Sequence, residues 1–184
     1  MVKQRHFIGI TGSQGVGKST FCRALYDSVR SQTQNTVELL SDLGAQVRSR
    51  GIPVGINSNI DTIAAVFTAH LTRERTSSAS IVILDRCLVD ALAYTRALDI
   101  TSQAYTSLFE EIFKTKTSIL SLVIHLELSS TFSRHNANHE TQELRQSIDS
   151  IIPSVINENG LNYISMDAAQ GDAITRATKE ILAL

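Results

Sequence analysis

His6-Phe7-Ile8-Gly9-Ile10-Thr11 runs directly into Gly12-Ser13-Gln14-Gly15-Val16-Gly17-Lys18-Ser19-Thr20, and this junction decides the fold. The first six residues read as a short buried strand. The next eight match the pattern G-x-x-x-x-G-K-[ST], and Gly17 to about Gln32 then carries a helical pattern. A strand, a glycine-rich turn and a helix in that order form an anion cradle. The glycines allow the backbone to turn its amide hydrogens inward, and the helix presents its positive end to the same place. Lys18 reaches the β- and γ-phosphates of a nucleoside triphosphate, and the Ser19 hydroxyl can ligate Mg²⁺. Gly12, Ser13, Gln14, Gly15, Val16, Gly17, Lys18, Ser19 and Thr20 are therefore the expected nucleotide-binding residues, with ATP and Mg²⁺ as the expected cofactors.

Outward from the loop, short apolar runs alternate with helical stretches, and no internal repeat is visible. Thr36–Ser41, Ile81–Leu84, Ile119–Leu126 and Leu161–Met166 read as further strands. Helices are expected over about 43–50, from Asn59 or Asp61 to Arg75, over 89–98, 102–115 and 140–159, and over 172–182. Pro153 is expected to kink or interrupt the sixth of these seven helices. Asn57 and Asn59 read as loop polar residues that could also reach an acceptor. Strands separated by helices imply right-handed crossovers and a parallel sheet, hence an α/β class. The 184 residues suit one domain, 1–184, with a core large enough to stand without disulfides.

Composition excludes several roles. Seventeen basic against eighteen acidic residues give a net charge of −1, so no broad basic surface exists for nucleic acid. No stretch approaches the ~20 apolar residues that span a bilayer. Cys22 and Cys87 lie in apolar contexts and read as buried thiols, which fits a reducing cytoplasm. Met1–Arg5 leads into a strand rather than a signal-peptide core. A guanine-specificity element is missing, since Thr115-Lys116-Thr117-Ser118 lacks the aspartate. The chain is also shorter than an AAA+ motor with a helical lid would need, and it has no ABC-type serine-glycine signature.

Asp85 closes the third apolar run, at the sheet edge where ligands of open α/β sheets bind. A carboxylate there can hold Mg²⁺ or its waters, or accept a proton, and Arg86 beside it can grip a phosphate or carboxylate. The alternative is a capping acid beside a solvated arginine. His135 and His139 are four apart but lack a third ligand, so a solvated loop is the simpler reading. His70 and His125 read as buried core histidines, and Tyr94 and Phe67 as core aromatics that could also stack on a base.

The segment Asp85-Arg86-Cys87-Leu88-Val89-Asp90-Ala91-Leu92-Ala93-Tyr94, of the form D-R-x-x-x-D-x-x-A-Y, resembles the Asp-Arg segment of thymidylate kinases and related nucleotide kinases. Three further features extend the likeness from about Phe7 to Ile164. They are the phosphate loop, the Gly44…Arg48…Gly51-Ile52-Pro53 stretch, and Glu143-Leu144-Arg145…Ile148-Asp149. The whole resembles a group of P-loop ATPase/kinase proteins similar to the ribosylnicotinamide kinase domain of NAD metabolism. The resemblance implies a five-stranded parallel sheet in the order 2-3-1-4-5 and a lid over 129–145. It also implies that Lys18 and Arg145 attend the migrating phosphoryl group, while Ser19 and Asp85 organise Mg²⁺. Asp42, Arg48 and Arg86 would hold a nucleoside, nucleotide or similar small acceptor, with Asp42 or Asp85 as base. Arg134 is the second lid arginine. A capping Asp42 and a solvated Arg48 remain the plain alternative. The rival function is a nucleotide-binding ATPase or regulatory module acting on a protein partner, and a homodimer is left open.

Overall fold

The computed structural model describes residues 5–41, 43–100, 103–117, 119–129 and 140–184. Asp42, Arg134 and the His135/His139 pair lie outside the described residues, as does most of the expected lid. Five parallel strands form one sheet: β1 (His6–Thr11), β2 (Val37–Leu40), β3 (Ile81–Asp85), β4 (Leu120–Leu126) and β5 (Tyr163–Met166). Their order is β2-β3-β1-β4-β5, and every pair is parallel. Seven helices connect them among the described residues: α1 (Lys18–Gln32), α2 (Leu43–Ser49), α3 (Ile60–Thr76), α4 (Leu88–Ala97), α5 (Gln103–Thr117), α6 (Gln142–Glu158) and α7 (Ala173–Leu182).

The strands alternate between two cores because successive side chains point to opposite faces. Ile8, Ile10, Ile81, Ile83, Leu122, Ile124 and Leu126 pack with α1 and α7 on one face. Phe7, Val82, Leu84 and Val123 pack with α3, α4, α5 and α6 on the other. The alternation puts Asp85 on the α1 face and His125 on the α6 face. The central strands β1 and β3 are almost continuously buried, as strands covered on both sides must be. Gly9 is required by a close approach, since a Cβ there would lie 2.8 Å from Cys87 Sγ. Both cysteines are free and buried.

Pro153 lies inside α6, which continues through it without interruption. Its missing N–H leaves the Asp149 carbonyl without its helical partner, but the buried stripe Leu144, Ile148, Ile152, Val155 and Ile156 holds the helix on the sheet regardless. Asn59, expected with Asp61 as a candidate cap of the third helix, is its N-cap. Its Oδ1 accepts from Thr62 N at 3.1 Å, and Thr62 Oγ1 accepts from Asn59 N at 3.1 Å, a reciprocal capping box. Thr62 Oγ1 also donates to Pro53 O at 2.7 Å, tying α3 to the preceding loop. Asn59→Ala is expected to cost about 1 kcal/mol and lower the melting temperature by about 2–4 °C, read by thermal denaturation. An unchanged melting temperature would mean the cap adds nothing to water's solvation of the helix end.

Candidate active site

The phosphate loop occupies 12–17, between β1 and α1. Gly12, Gly15 and Gly17 all have positive φ (147°, 80° and 88°), so the sequence places glycine where the turn requires it. Val16 is buried and anchors the loop to the α1-side core. Lys18, although cationic, is only 6% exposed, and its Nζ donates to Gly12 O at 2.7 Å and Ser13 O at 2.5 Å. Ser19 and Thr20 follow on the exposed side of the first turn. Three polar atoms of this region, Thr11 Oγ1, Ser13 Oγ and Gln14 Oε1, are buried and have no hydrogen-bond partner among the described residues. Groups left in that condition cost free energy unless a ligand satisfies them.

Arg145 reaches the loop from α6. It is buried, and its Nε donates to Gln14 O at 2.7 Å. A Cβ on Gly15 would come within 3.2 Å of its Nη2. Asp149, one helical turn on, accepts from Leu128 N at 3.1 Å and lies 3.2 Å from His125 Nε2. These contacts fix the turn of α6 that carries Arg145 over the loop.

Asp85 ends β3 at 7% exposure, on the face shared with α1. Arg86 follows with φ 68°, a left-handed conformation that costs a non-glycine residue about 1 kcal/mol or more. That turn delivers its side chain onto α4. Its Nη1 pairs with Asp90 Oδ1 at 3.2 Å, and its guanidinium lies 5.7 Å from the Tyr94 ring centre. Tyr94 in turn donates to Glu140 Oε1 at 2.6 Å. Burial works against the Arg86 charge, yet Tyr94, Asp90 and Glu140 more than offset it and raise its pKa above the ordinary value. Lys18 behaves oppositely. Burial first, and the Arg86 charge second, lower its pKa to about 7, against the raising effect of Asp90, Asp85 and Glu140. One electrostatic cluster thus joins the phosphate loop to the start of α4.

A cavity opens beside that cluster. Its wall includes Gln14 of the loop, Arg48 of α2, the α3 stripe Ile63, Val66 and His70, and Arg86, Asp90 and Tyr94. Arg48 and Arg86, both expected at an acceptor, therefore line one space that meets the phosphate loop at Gln14. Arg48 stands at its exposed rim. The cavity also enlists residues that sequence reasoning did not assign. His70 and Tyr94 carried mainly core readings, Asp90 was quoted without a role, and Glu140 meets Tyr94 across 46 residues. The i,i+4 spacing of Asp90 and Tyr94 on α4 was the available signal for one shared helix face.

Among the described residues no helix is long and apolar enough to cross a membrane. The profile of a family described as an AAA domain matches residues 7–173. The chain belongs to this AAA-domain family. The match extends over nearly the whole chain. No curated protein matches it in sequence. Two solved structures of NadR protein are similar in fold. One, in complex with NR, gives TM-score 0.76 at 18% identity, covering 98% of this chain and 52% of that one. The other, with NAD and AMP-PNP, gives 0.72 at 17%, covering 98% and 50%. The chain thus spans about half the length of those proteins. Deoxyadenosine kinase from M. mycoides with bound dATP gives 0.61 at 13% identity, covering 96% of this chain and 97% of that one. The fold is thus shared with the NadR protein and deoxyadenosine kinase structures, and the strand order is the expected one.

Proposed function

We propose that this AAA-domain protein is a kinase that transfers the γ-phosphoryl group of ATP, with Mg²⁺, to a hydroxyl of a nucleoside-like acceptor. The supporting observation is the cavity that holds Arg48 and Arg86 and abuts the phosphate loop at Gln14. Residues 12–20 would cradle the triphosphate, satisfying the buried hydroxyl of Ser13. Lys18 and Arg145 would hold the phosphoryl group in flight, where catalysis is positioning and charge rather than covalent chemistry. The Ser19 hydroxyl and Asp85 carboxylate are hard oxygen donors of the kind that suits Mg²⁺, which takes its remaining ligands from phosphate and water. Held by these two side chains, Mg²⁺ would supply neutralisation of the negative charge on the phosphates.

In the transfer, the acceptor oxygen bonds to the γ-phosphorus as the bond to the β-phosphate bridging oxygen breaks. ADP leaves, and the hydroxyl proton passes to Asp85 or Asp42. Arg48, Arg86 and Asp42 would seat the acceptor. The lid would be 129–145, within a single domain 1–184, and the two free thiols suit a reducing cytoplasm. A nucleoside suits this site better than a monophosphate. Arg86 is already paired with Asp90 and lies against the Tyr94 ring, so an acceptor phosphate would have to break that pair to use its guanidinium.

The test is MgATP consumption by purified protein with nucleosides and nucleoside monophosphates, using Lys18→Ala as blank. A nucleoside should raise ADP release well above the basal rate and yield its monophosphate, while monophosphates do not. Slow turnover indifferent to every acceptor would overturn the kinase reading in favour of an ATPase that serves a protein partner.

A further inference from the structure

His70 lines the cavity from α3 yet is only 1% exposed, a titratable ring placed at the cavity's floor. Arg73 Nη2 lies 3.0 Å from its Nδ1. A guanidinium carries donors only, so Nδ1 must accept, and the neutral ring then keeps its proton on Nε2. Arg73 cannot easily turn away. Its Nη1 donates to Leu40 O at 3.1 Å and Asp85 O at 3.4 Å, and its Nη2 makes a short hydrogen bond to Arg86 O. The guanidinium therefore bridges the ends of β2 and β3 and holds the imidazole by one edge. Burial, with the charges of Arg73 and Arg86, keeps the His70 pKa well below its ordinary value. The ring is thus neutral with a fixed tautomer. Its Nε2 makes no hydrogen bond among the described residues, although the side chain borders the cavity.

We propose that His70 is a specificity residue for the acceptor, donating from Nε2 to a carbonyl oxygen or unprotonated ring nitrogen of the seated molecule. The inference rests on the kinase reading above. It adds a rule of selection, since an acceptor that turns an N–H toward His70 sets donor against donor and leaves both buried without a partner. Arg73 is the positioning residue, for it decides which nitrogen carries the proton. Ile63 and Val66 on the same stripe of α3 supply the apolar wall that excludes water from the bond.

The test compares wild type, His70→Leu and His70→Gln with uridine, cytidine, adenosine and inosine as acceptors. His70→Leu should raise the acceptor KM about tenfold to a hundredfold for the best wild-type substrate and leave the KM for MgATP unchanged. His70→Gln retains an N–H donor and should recover most of the loss, which a packing role alone would not predict. A Leu variant with unchanged acceptor KM, or a Gln variant no better than Leu, overturns the proposal while the kinase reading stands. Phosphorylation of no acceptor by wild type overturns both. Independently of activity, the long-range proton–nitrogen NMR spectrum of the wild-type protein should show His70 neutral with hydrogen on Nε2. A charged ring or an Nδ1–H form would also overturn it.

Discussion

Lys18→Ala is expected to abolish MgATP turnover, with kcat down at least about a thousandfold, without lowering the melting temperature near neutral pH. The first half follows from placement. Lys18 Nζ sits among the loop carbonyls of Gly12 and Ser13 and is the one ammonium in residues 12–20 that an approaching triphosphate would meet. The second half follows from burial, which lowers its pKa to about 7. In the unfolded chain the same group titrates near 10.5. Between those values the unfolded state binds more protons, so this group makes the nucleotide-free protein more stable as pH rises through the window. Below pH 7 the full cost of burying an ammonium is carried, and removing the side chain relieves it. Stability is exchanged here for a charge at the phosphate site.

The same linkage sets a pH dependence for binding. A triphosphate binds the ammonium form, so apparent affinity should fall about tenfold per unit as pH rises above 7. Calorimetry in buffers of different ionisation enthalpy should show uptake of a proton at pH 8. Lys18→Ala that still turned over MgATP would show that Lys18 does not meet the phosphates, and a wild-type affinity flat from pH 7 to 9 would show that Lys18 keeps its proton in the folded protein.

Much of this is legible in the sequence. The strand β3 is buried on both faces and so reads as an apolar run, β1 and β4 are mostly so, and the glycines at 12, 15 and 17 stand where the turn needs positive φ. The strand order came through resemblance, because pairing between distant runs leaves no local periodicity. Pro153 does not interrupt α6, because the packed stripe of that helix outweighs one missing bond. The cavity was invisible for a different reason. Its polar groups come from α2, α3, α4 and the start of α6, and only the fold brings Glu140 to Tyr94 or Arg73 to the carbonyls of Leu40 and Asp85. Asn59 shows how a polar loop residue can satisfy a helix end rather than a ligand.

Gly12→Ala should be the most damaging methyl that can be added to this protein's phosphate loop. Gly12 has φ 147°, outside the range an L side chain adopts without strain, and its new Cβ would stand 2.5 Å from Leu126 O. That oxygen belongs to backbone and cannot swing aside. Leu126 pairs with Met166 across β4 and β5, and Glu127 N donates to Met166 O at 3.0 Å, so the strand end is held. Either β4 or the loop must move, and the loop is the weaker partner. The expected cost is about 3 kcal/mol or more, a fall of about 6–12 °C in melting temperature, with MgATP binding lost as the loop carbonyls leave Lys18. Gly44→Ala is the contrasting case. Gly44 lies in α2 with nothing within 4 Å of its Cβ direction, so alanine should be neutral or stabilising by up to about 1 kcal/mol. The same chemical change thus acquires opposite signs from backbone angle and neighbour. Equal melting temperatures for the two variants would show that the loop yields to a methyl group, and its tight geometry would then not be what holds Lys18 in place.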